Sequence, residues 1–326
     1  MLYRTIIHPM SHLMNYLSVS HPSVSHLSTA LGLMGALLLT SPNPVSAQTN
    51  PTVAINVTDD TGQELHFEHA PQRIVSLAPS VTENLFAIGL GERVVGVSSY
   101  SDYPEPAKKL PIISDYQNMD LEAIAKLKPD VVVVWHGGQS PAQLSALKQL
   151  NIPIFYQKIN TLADIPLSLM RLSQMAGNQI QAAPIIAQAY KQIPLLAQAP
   201  QPTLKAFYQV WQRPLMTING SSWISDALAR CGAANLYAEL PISAPTVNLE
   251  DVLARQPELI LSTASNAASD RSLDFWRDWP QIPAVKHNGL IYSEGDGMNR
   301  SSLRTLAAAQ QLCGQIAQVR SSYQSK

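Results

Sequence analysis

The chain has 326 residues, 22 Lys and Arg against 23 Asp and Glu, and is 46% hydrophobic with only 14% charged residues. So apolar a chain is not disordered, and near-neutrality excludes a nucleic-acid binder, which needs a basic surface. Two cysteines exclude a disulfide-rich scaffold and a four-thiolate zinc site, and the length suits about two domains of ~150 residues.

Residues 1–47 read as a signal peptide. They hold no Asp or Glu, one Arg (Arg4) and four of the eight histidines, and the apolar run Leu27–Leu39 is followed by Val45-Ser46-Ala47. The run is shorter than the ~20 residues of a spanning helix, and a small-x-small triplet is a cleavage signal. Cleavage near Ala47 leaves 279 residues in an oxidising compartment, where Cys231 and Cys313 either pair or stay as two buried thiols.

Residues 48–70 form an N-terminal hairpin: Thr52–Val57, a turn at Asp59-Asp60-Thr61-Gly62, then Glu64–His66. An N-terminal α/β lobe follows over 71–160. Its expected strands are Arg73–Leu77, Val94–Val97, Val131–Trp135 and Ile154–Phe155, with helices at Ser80–Ile88, Leu121–Leu127 and Ala142–Leu150. Residues 161–200 are a helical segment: Leu162, Ile165, Leu169, Leu172 and Met175 recur at helical spacing, as do Ile185, Ile186, Ala189 and Ile193. A helix starting near Gln181, with Pro184 in its first turn, links the lobes. The C-terminal α/β lobe, 201–326, has expected strands Phe207–Trp211, Leu215–Ile218, Leu259–Leu261 and Leu290–Tyr292, and helices Ile224–Arg230 and Leu249–Arg255. Short apolar strands separated by helices imply parallel sheets, so the fold class is α/β: two Rossmann-like lobes joined by one long helix, with a ligand cleft between them.

The two lobes repeat. Leu121-Glu-Ala-Ile-Ala-Lys-Leu-Lys-Pro-Asp-Val returns 128 residues later as Leu249-Glu-Asp-Val-Leu-Ala-Arg-Gln-Pro-Glu-Leu, and Ser80–Gly89 is matched by Trp223–Gly232, with Glu83 against Asp226. Glu122 and Glu250 thus occupy equivalent first-turn positions, where an acid also complements the helix dipole.

There is no G-x-S-x-G, Walker loop, G-x-G-x-x-G or H-E-x-x-H, so no catalytic residue is assigned and a secreted hydrolase is disfavoured. His66 and His69 lie in the hairpin region, and a lone His136 does not make a metal site, so no metal is assigned. Residues placed after strands are better candidates for a cleft: Tyr100, Tyr116, Trp135 and the segment Asp296-Gly297-Met298-Asn299-Arg300. Flat rings with Asp and Arg suit one large amphipathic organic ligand.

Val97-Ser-Ser-Tyr-Ser-Asp-Tyr-Pro104, Met119-Asp-Leu-Glu122, Lys128-Pro-Asp130, Trp135-His-Gly-Gly138 and Ala308-Ala-Gln-Gln-Leu-Cys313 together resemble the periplasmic cobalamin-binding proteins of ABC importers, within the helical-backbone (class III) superfamily. The resemblance spans about Arg73 to Val319. It implies a monomeric, non-enzymatic carrier that binds a corrinoid as cargo, without a resident cofactor, through Tyr100 and Asp296–Arg300 with Trp135 nearby. It also implies a Cys231–Cys313 disulfide, and docking of Glu122 and Glu250 on a permease dimer that works with a cytoplasmic ATPase. Tyr116 stands where this family often has tryptophan, Met216 where phenylalanine is expected, and Gly297-Met298 where aromatics occur. A siderophore or haem carrier of the same fold is the alternative.

Overall fold

Strands with no polar face must be covered on both sides, and a computed structural model arranges them in two parallel sheets sandwiched by helices. It describes residues 54–115, 117–194, 202–264 and 270–324. The expected signal peptide with its cut near Ala47, the start of the hairpin segment (48–53), Tyr116 and residues 195–201 lie outside the described residues.

β1 (Ile55–Thr58) and β2 (Glu64–Phe67) form the antiparallel hairpin. Asp59 closes its turn by accepting from the Thr61 and Gln63 backbone N–H groups at 2.8 and 3.0 Å, and accepts from Tyr156 N–H at 3.0 Å, which fixes the hairpin to the first lobe. Asp60 pairs with Arg171 at 2.9 Å; burial raises its carboxyl pKa, against the opposing pull of Ser168 and Arg171.

The first lobe runs β3 (Ile74–Ser76), α1 (Pro79–Ala87), β4 (Val94–Ser98), β5 (Ile112–Ser114), α2 (Leu121–Lys126), β6 (Val131–Trp135), α3 (Pro141–Lys148) and β7 (Ile154–Gln157). Its sheet is parallel, in the order β5-β4-β3-β6-β7. The valines of β6 are all buried: Val131 and Val133 join the core shared with the second lobe, Val132 and Val134 an outer cluster under α2 and α3.

α4 (Asp164–Met175) and α5 (Gln179–Gln192) follow, with Ile165, Leu169, Leu172 and Met175 fully buried as their spacing predicts. α5 starts two residues earlier than expected, so Pro184 is its sixth residue and not in its first turn. The hydrogen bond that Pro184 cannot donate would go to the carbonyl of Ile180, whose side chain lies on the exposed side of the helix.

The second lobe comprises β8 (Leu204–Tyr208), α6 (Trp223–Arg230), β9 (Ala233–Asn235), α7 (Leu249–Arg255), β10 (Leu259–Ala264), α8 (Pro283–Lys286), β11 (Leu290–Glu294), α9 (Gly295–Asn299) and α10 (Leu303–Gln324). Its parallel sheet has the order β11-β10-β8-β9. The strand expected at Leu215–Ile218 does not form. Pro214 turns the chain back, Met216 exchanges backbone hydrogen bonds with Val210 and Trp211, and Thr217 and Asn219 donate to the Pro245 and Ser243 carbonyls, so the segment pairs with loops and not with the sheet.

The repeat is now a matter of topology. β4-β3-β6-β7 and β9-β8-β10-β11 have the same order, with α1 equivalent to α6 and α2 to α7; β5 is an addition at the edge of the first lobe. One apolar core runs through α1, α4, α5, α6 and α10 and joins the inner faces of both sheets. Cys231, at the C-terminal end of α6, is disulfide-bonded to Cys313 of α10. Among the described residues no helix is long and apolar enough to cross a membrane.

Candidate functional site

The carboxyl ends of the two sheets face each other. Trp135, the last residue of β6, packs edge-to-face on Trp223, the first residue of α6, with ring centroids 6.3 Å apart and planes at 77°. Trp223 Nε1 donates to the Met298 carbonyl at 2.8 Å, which fixes the indole against α9. Ala78, Ser80, Trp135, Trp223, Asn299 and Arg300 line a pocket of about 140 Å³ between the lobes.

Beside it lies a charged network. Arg300 Nη1 donates to Glu83 Oε1 at 3.0 Å and Asp102 Oδ1 at 2.6 Å, and its Nη2 lies 3.6 Å from Asp296 Oδ1. Arg304 Nη1 donates to the same Glu83 oxygen at 3.2 Å and Nη2 to Glu294 Oε1 at 3.3 Å, while Ser302 Oγ donates to Glu83 Oε2 at 2.6 Å. The Arg304 guanidinium also sits 4.5 Å over the Tyr103 ring. Glu83, Asp102 and Tyr103 belong to the first lobe and the arginines to the second, so this network ties the lobes together. Asn84 Nδ2 adds a bond to the Ser301 carbonyl at 3.0 Å. Burial by itself would lower the pKa of Arg300, but Asp102, Glu83 and Asp296 outweigh it and hold the pKa above its usual value. The Arg300 hydrogen bond keeps the Asp102 carboxyl below its ordinary range.

Of the residues expected in the site, Tyr100 stands at the first lobe's rim, 75% exposed and with φ of 63°. A tyrosine is rarely held in that left-handed region, and such outliers point to function. Asp296, Asn299 and Arg300 reach the facing surface from α9, where Asn299 Nδ2 donates to Thr263 Oγ1 at 3.0 Å. Met298 is fully buried in the shared core. At Gly297 a Cβ would meet the Glu294 side chain and lie 2.9 Å from Ala308 Cβ, so this position serves the packing of α9 on α10. Met216 is half-buried in the loop after β8. Glu122 and Glu250 lie in the first turns of α2 and α7, both exposed; Glu122 pairs with Lys126 at 2.7 Å and Glu250 has no ion pair among the described residues.

Sequence reasoning missed Glu83, Asp102, Arg304 and Trp223 as site residues. The available signals were Glu83's match to Asp226 in the repeat and Asp102's place within the Ser-Tyr-Ser-Asp-Tyr-Pro stretch. Asp226 likewise binds across elements, accepting from Leu162 N–H at 2.9 Å, and also takes Arg230 Nε of its own helix at 2.8 Å.

Residues 74–296 match the model of the periplasmic binding protein family. The vitamin B12-binding protein of Vibrio parahaemolyticus is 34% identical over 252 residues, covering 76% of this chain and 90% of the relative. The vitamin B12-binding protein of Yersinia pestis strain Pestoides F is 35% identical over 252 residues, covering 77% and 88%. Among solved structures, the periplasmic vitamin B12 binding protein BtuF of Vibrio cholerae superposes with a TM-score of 0.71 at 31% identity, covering 77% of this chain and 98% of that one. The periplasmic heme binding protein HutB of Vibrio cholerae shares the fold at 20% identity, with a TM-score of 0.63 over 74% of this chain and 98% of its own. With two parallel-sheet lobes joined through α4 and α5, and a family match over most of its length, the chain belongs to the periplasmic binding protein family.

Proposed function

We propose that this chain is a non-enzymatic periplasmic carrier that captures a corrinoid such as cobalamin and delivers it to an ABC importer. The observation that carries the reading is the facing pair of strand ends: Tyr100 stands out from one rim, and Asp296, Asn299 and Arg300 line the other. Flat rings with a few fixed polar groups suit a broad ligand edged with amides. The relatives named as vitamin B12-binding proteins, similar along both lobes, support the same ligand class. The segment read as a signal peptide supports export, and the 71–160 and 201–326 lobes with the 161–200 link are the working parts. Glu122 and Glu250, exposed at equivalent places of the repeat, are the docking points for a permease dimer.

Calorimetry with cyanocobalamin, and separately with haem and a ferric siderophore, tests the reading. Cobalamin should bind with a Kd below ~10 μM, about −7 kcal/mol, and Tyr100→Ala should weaken it about tenfold or more. Binding of haem or the siderophore without cobalamin would overturn the ligand assignment, and undiminished affinity in Tyr100→Ala would remove that residue from the site.

A further inference from the structure

A line of polar side chains runs through the apolar core of the first lobe and reaches the second. Ser301, between α9 and α10, presents its carbonyl to Asn84 Nδ2 of α1 at 3.0 Å. The same nitrogen donates to Gln157 Oε1 at the end of β7 at 3.2 Å, and Gln157 Nε2 donates to Ser168 Oγ of α4 at 3.0 Å. Ser168 in turn hydrogen-bonds the Asp60 carboxylate in the hairpin turn. Asn84 and Gln157 are fully buried, and Ser168, Ser301 and the Asp60 side chain are each 1% exposed.

Polar groups so placed cost stability unless they are bonded, and in a low dielectric each bond polarises the next. The donors all point one way, from Asn84 to Gln157 to Ser168, and the line ends on a carboxylate. Asn84 Oδ1 is buried with no partner among the described residues. The amide is therefore tied through its nitrogen alone, to the second lobe by one bond and to the line by the other. At the far end, Arg171 of α4 donates to Asp60 Oδ1 at 2.9 Å, and the backbone N–H of Lys158, whose side chain is exposed, donates to Oδ2 at 3.0 Å. Asp60 N–H donates to the carbonyl of the half-buried Tyr156 at 3.1 Å, and the neighbouring Asp59 is engaged by the turn and by Tyr156 N–H. Burial outweighs these bonds and holds the Asp60 carboxyl above 3.8, so the fold takes up this proton more readily than the unfolded chain. With respect to Asp60, stability rises as pH falls through the folded value, and the folded protein is the species that titrates.

We propose that this buried line is an acid-sensitive joint between the lobes: the charge on Asp60 sets the hydrogen bonding of Gln157 and Asn84 and, through Asn84, how the second lobe is held at Ser301. Protonation puts a donor where the line has its terminal acceptor and frees Arg171, so the bonds behind it re-form. The joint does not depend on the corrinoid reading and is tested without ligand. Trp135 and Trp223, packed edge-to-face across the lobe contact, are its reporter. Near-UV circular dichroism of the unaltered chain between about pH 7 and 4 should show a one-proton transition with a midpoint above 3.8, lost in Trp223→Phe. Asp60→Asn should abolish it. Ser168→Ala leaves Asp60 and Arg171 to titrate but cuts the link to Gln157, so the tryptophan signal should no longer follow pH. A flat response in the unaltered chain, or a transition that survives in any of the three variants, would overturn the joint. Far-UV circular dichroism checks folding, and NMR of the unaltered chain serves where a variant does not fold: the Asn84 and Gln157 side-chain amides should titrate with the same midpoint, and amides that stay fixed would overturn the proposal.

Discussion

Glu83 is the residue on which the lobe contact turns. Its side chain is only 3% exposed, and a carboxylate so buried is tolerated when its oxygens are fully hydrogen-bonded. Arg300, Arg304 and Ser302, all from the other lobe, supply those bonds. Asp102 is the outer partner of Arg300 and has a consequence for pH. Arg300 keeps its folded pKa below the ordinary value of 3.8, so the stability it contributes is complete above that pH and lost as pH falls through the folded value. Asp102→Asn should therefore lower the melting temperature by a constant amount between roughly pH 5 and 7, with the gap closing as pH falls below about 3.8. Calorimetric scans of both chains over this range check it; a gap that widens on acidification would show that the charge is not what stabilises. The same residues explain what the sequence concealed. The place of Trp135, Asp296 and Arg300 at the carboxyl edges was legible, because Trp135 ends one strand and the other two follow another. Glu83 pairs with residues 217 and 221 positions away, and Asp102 with one 198 positions away, separations on which local pattern is silent.

Elements whose own residues specify both core and ends were read closely. β6 is a run of four valines, and α7 begins at the cap Asn248, whose Oδ1 accepts from Asp251 N–H at 2.7 Å. Elements defined by their neighbours were not: β5 and β9 have three residues each, too few for a period, and Leu215–Ile218 looks like a strand until the antiparallel contact with 243–247 claims its backbone. The disulfide belongs at this scale because it joins two helices. Cys231 and Cys313 close a separation of 82 residues, for which restriction of the unfolded chain contributes on the order of 4 kcal/mol. Arg320 of α10 also donates to the Cys231 and Gly232 carbonyls at 3.0 and 2.9 Å, so the two helices keep a second tie. The double variant Cys231→Ser, Cys313→Ser should stay folded and lose about 4 kcal/mol in urea denaturation. A loss under ~1 kcal/mol would mean that the arginine and the core, not the disulfide, hold α10 in place.

Across the whole molecule, two copies of one strand order are set carboxyl edge to carboxyl edge. That duplication places α2 and α7 at equivalent positions, each entering the strand beside its lobe's first (β6 beside β3, β10 beside β8). Glu122 and Glu250 therefore give the protein a pair of exposed acids related by the repeat, a pattern suited to a partner built of two like halves. Among the described residues little holds them: the ion pair of Glu122 is a solvent-exposed one with Lys126, of a kind worth about a few tenths of a kcal/mol. Reversing both charges by Glu122→Lys and Glu250→Lys should leave folding intact, since an unfavourable charge at a helix start costs about 0.3–1 kcal/mol. Corrinoid affinity of the purified protein should also be unchanged, because neither residue lines the pocket between the lobes or joins the charged network beside it. Uptake by cells carrying the importer is where the loss should fall: near-complete for the double variant and partial for each single one. Normal uptake by the double variant would refute the docking assignment, while a parallel loss of corrinoid affinity would show that the two acids act on ligand binding and not on the permease.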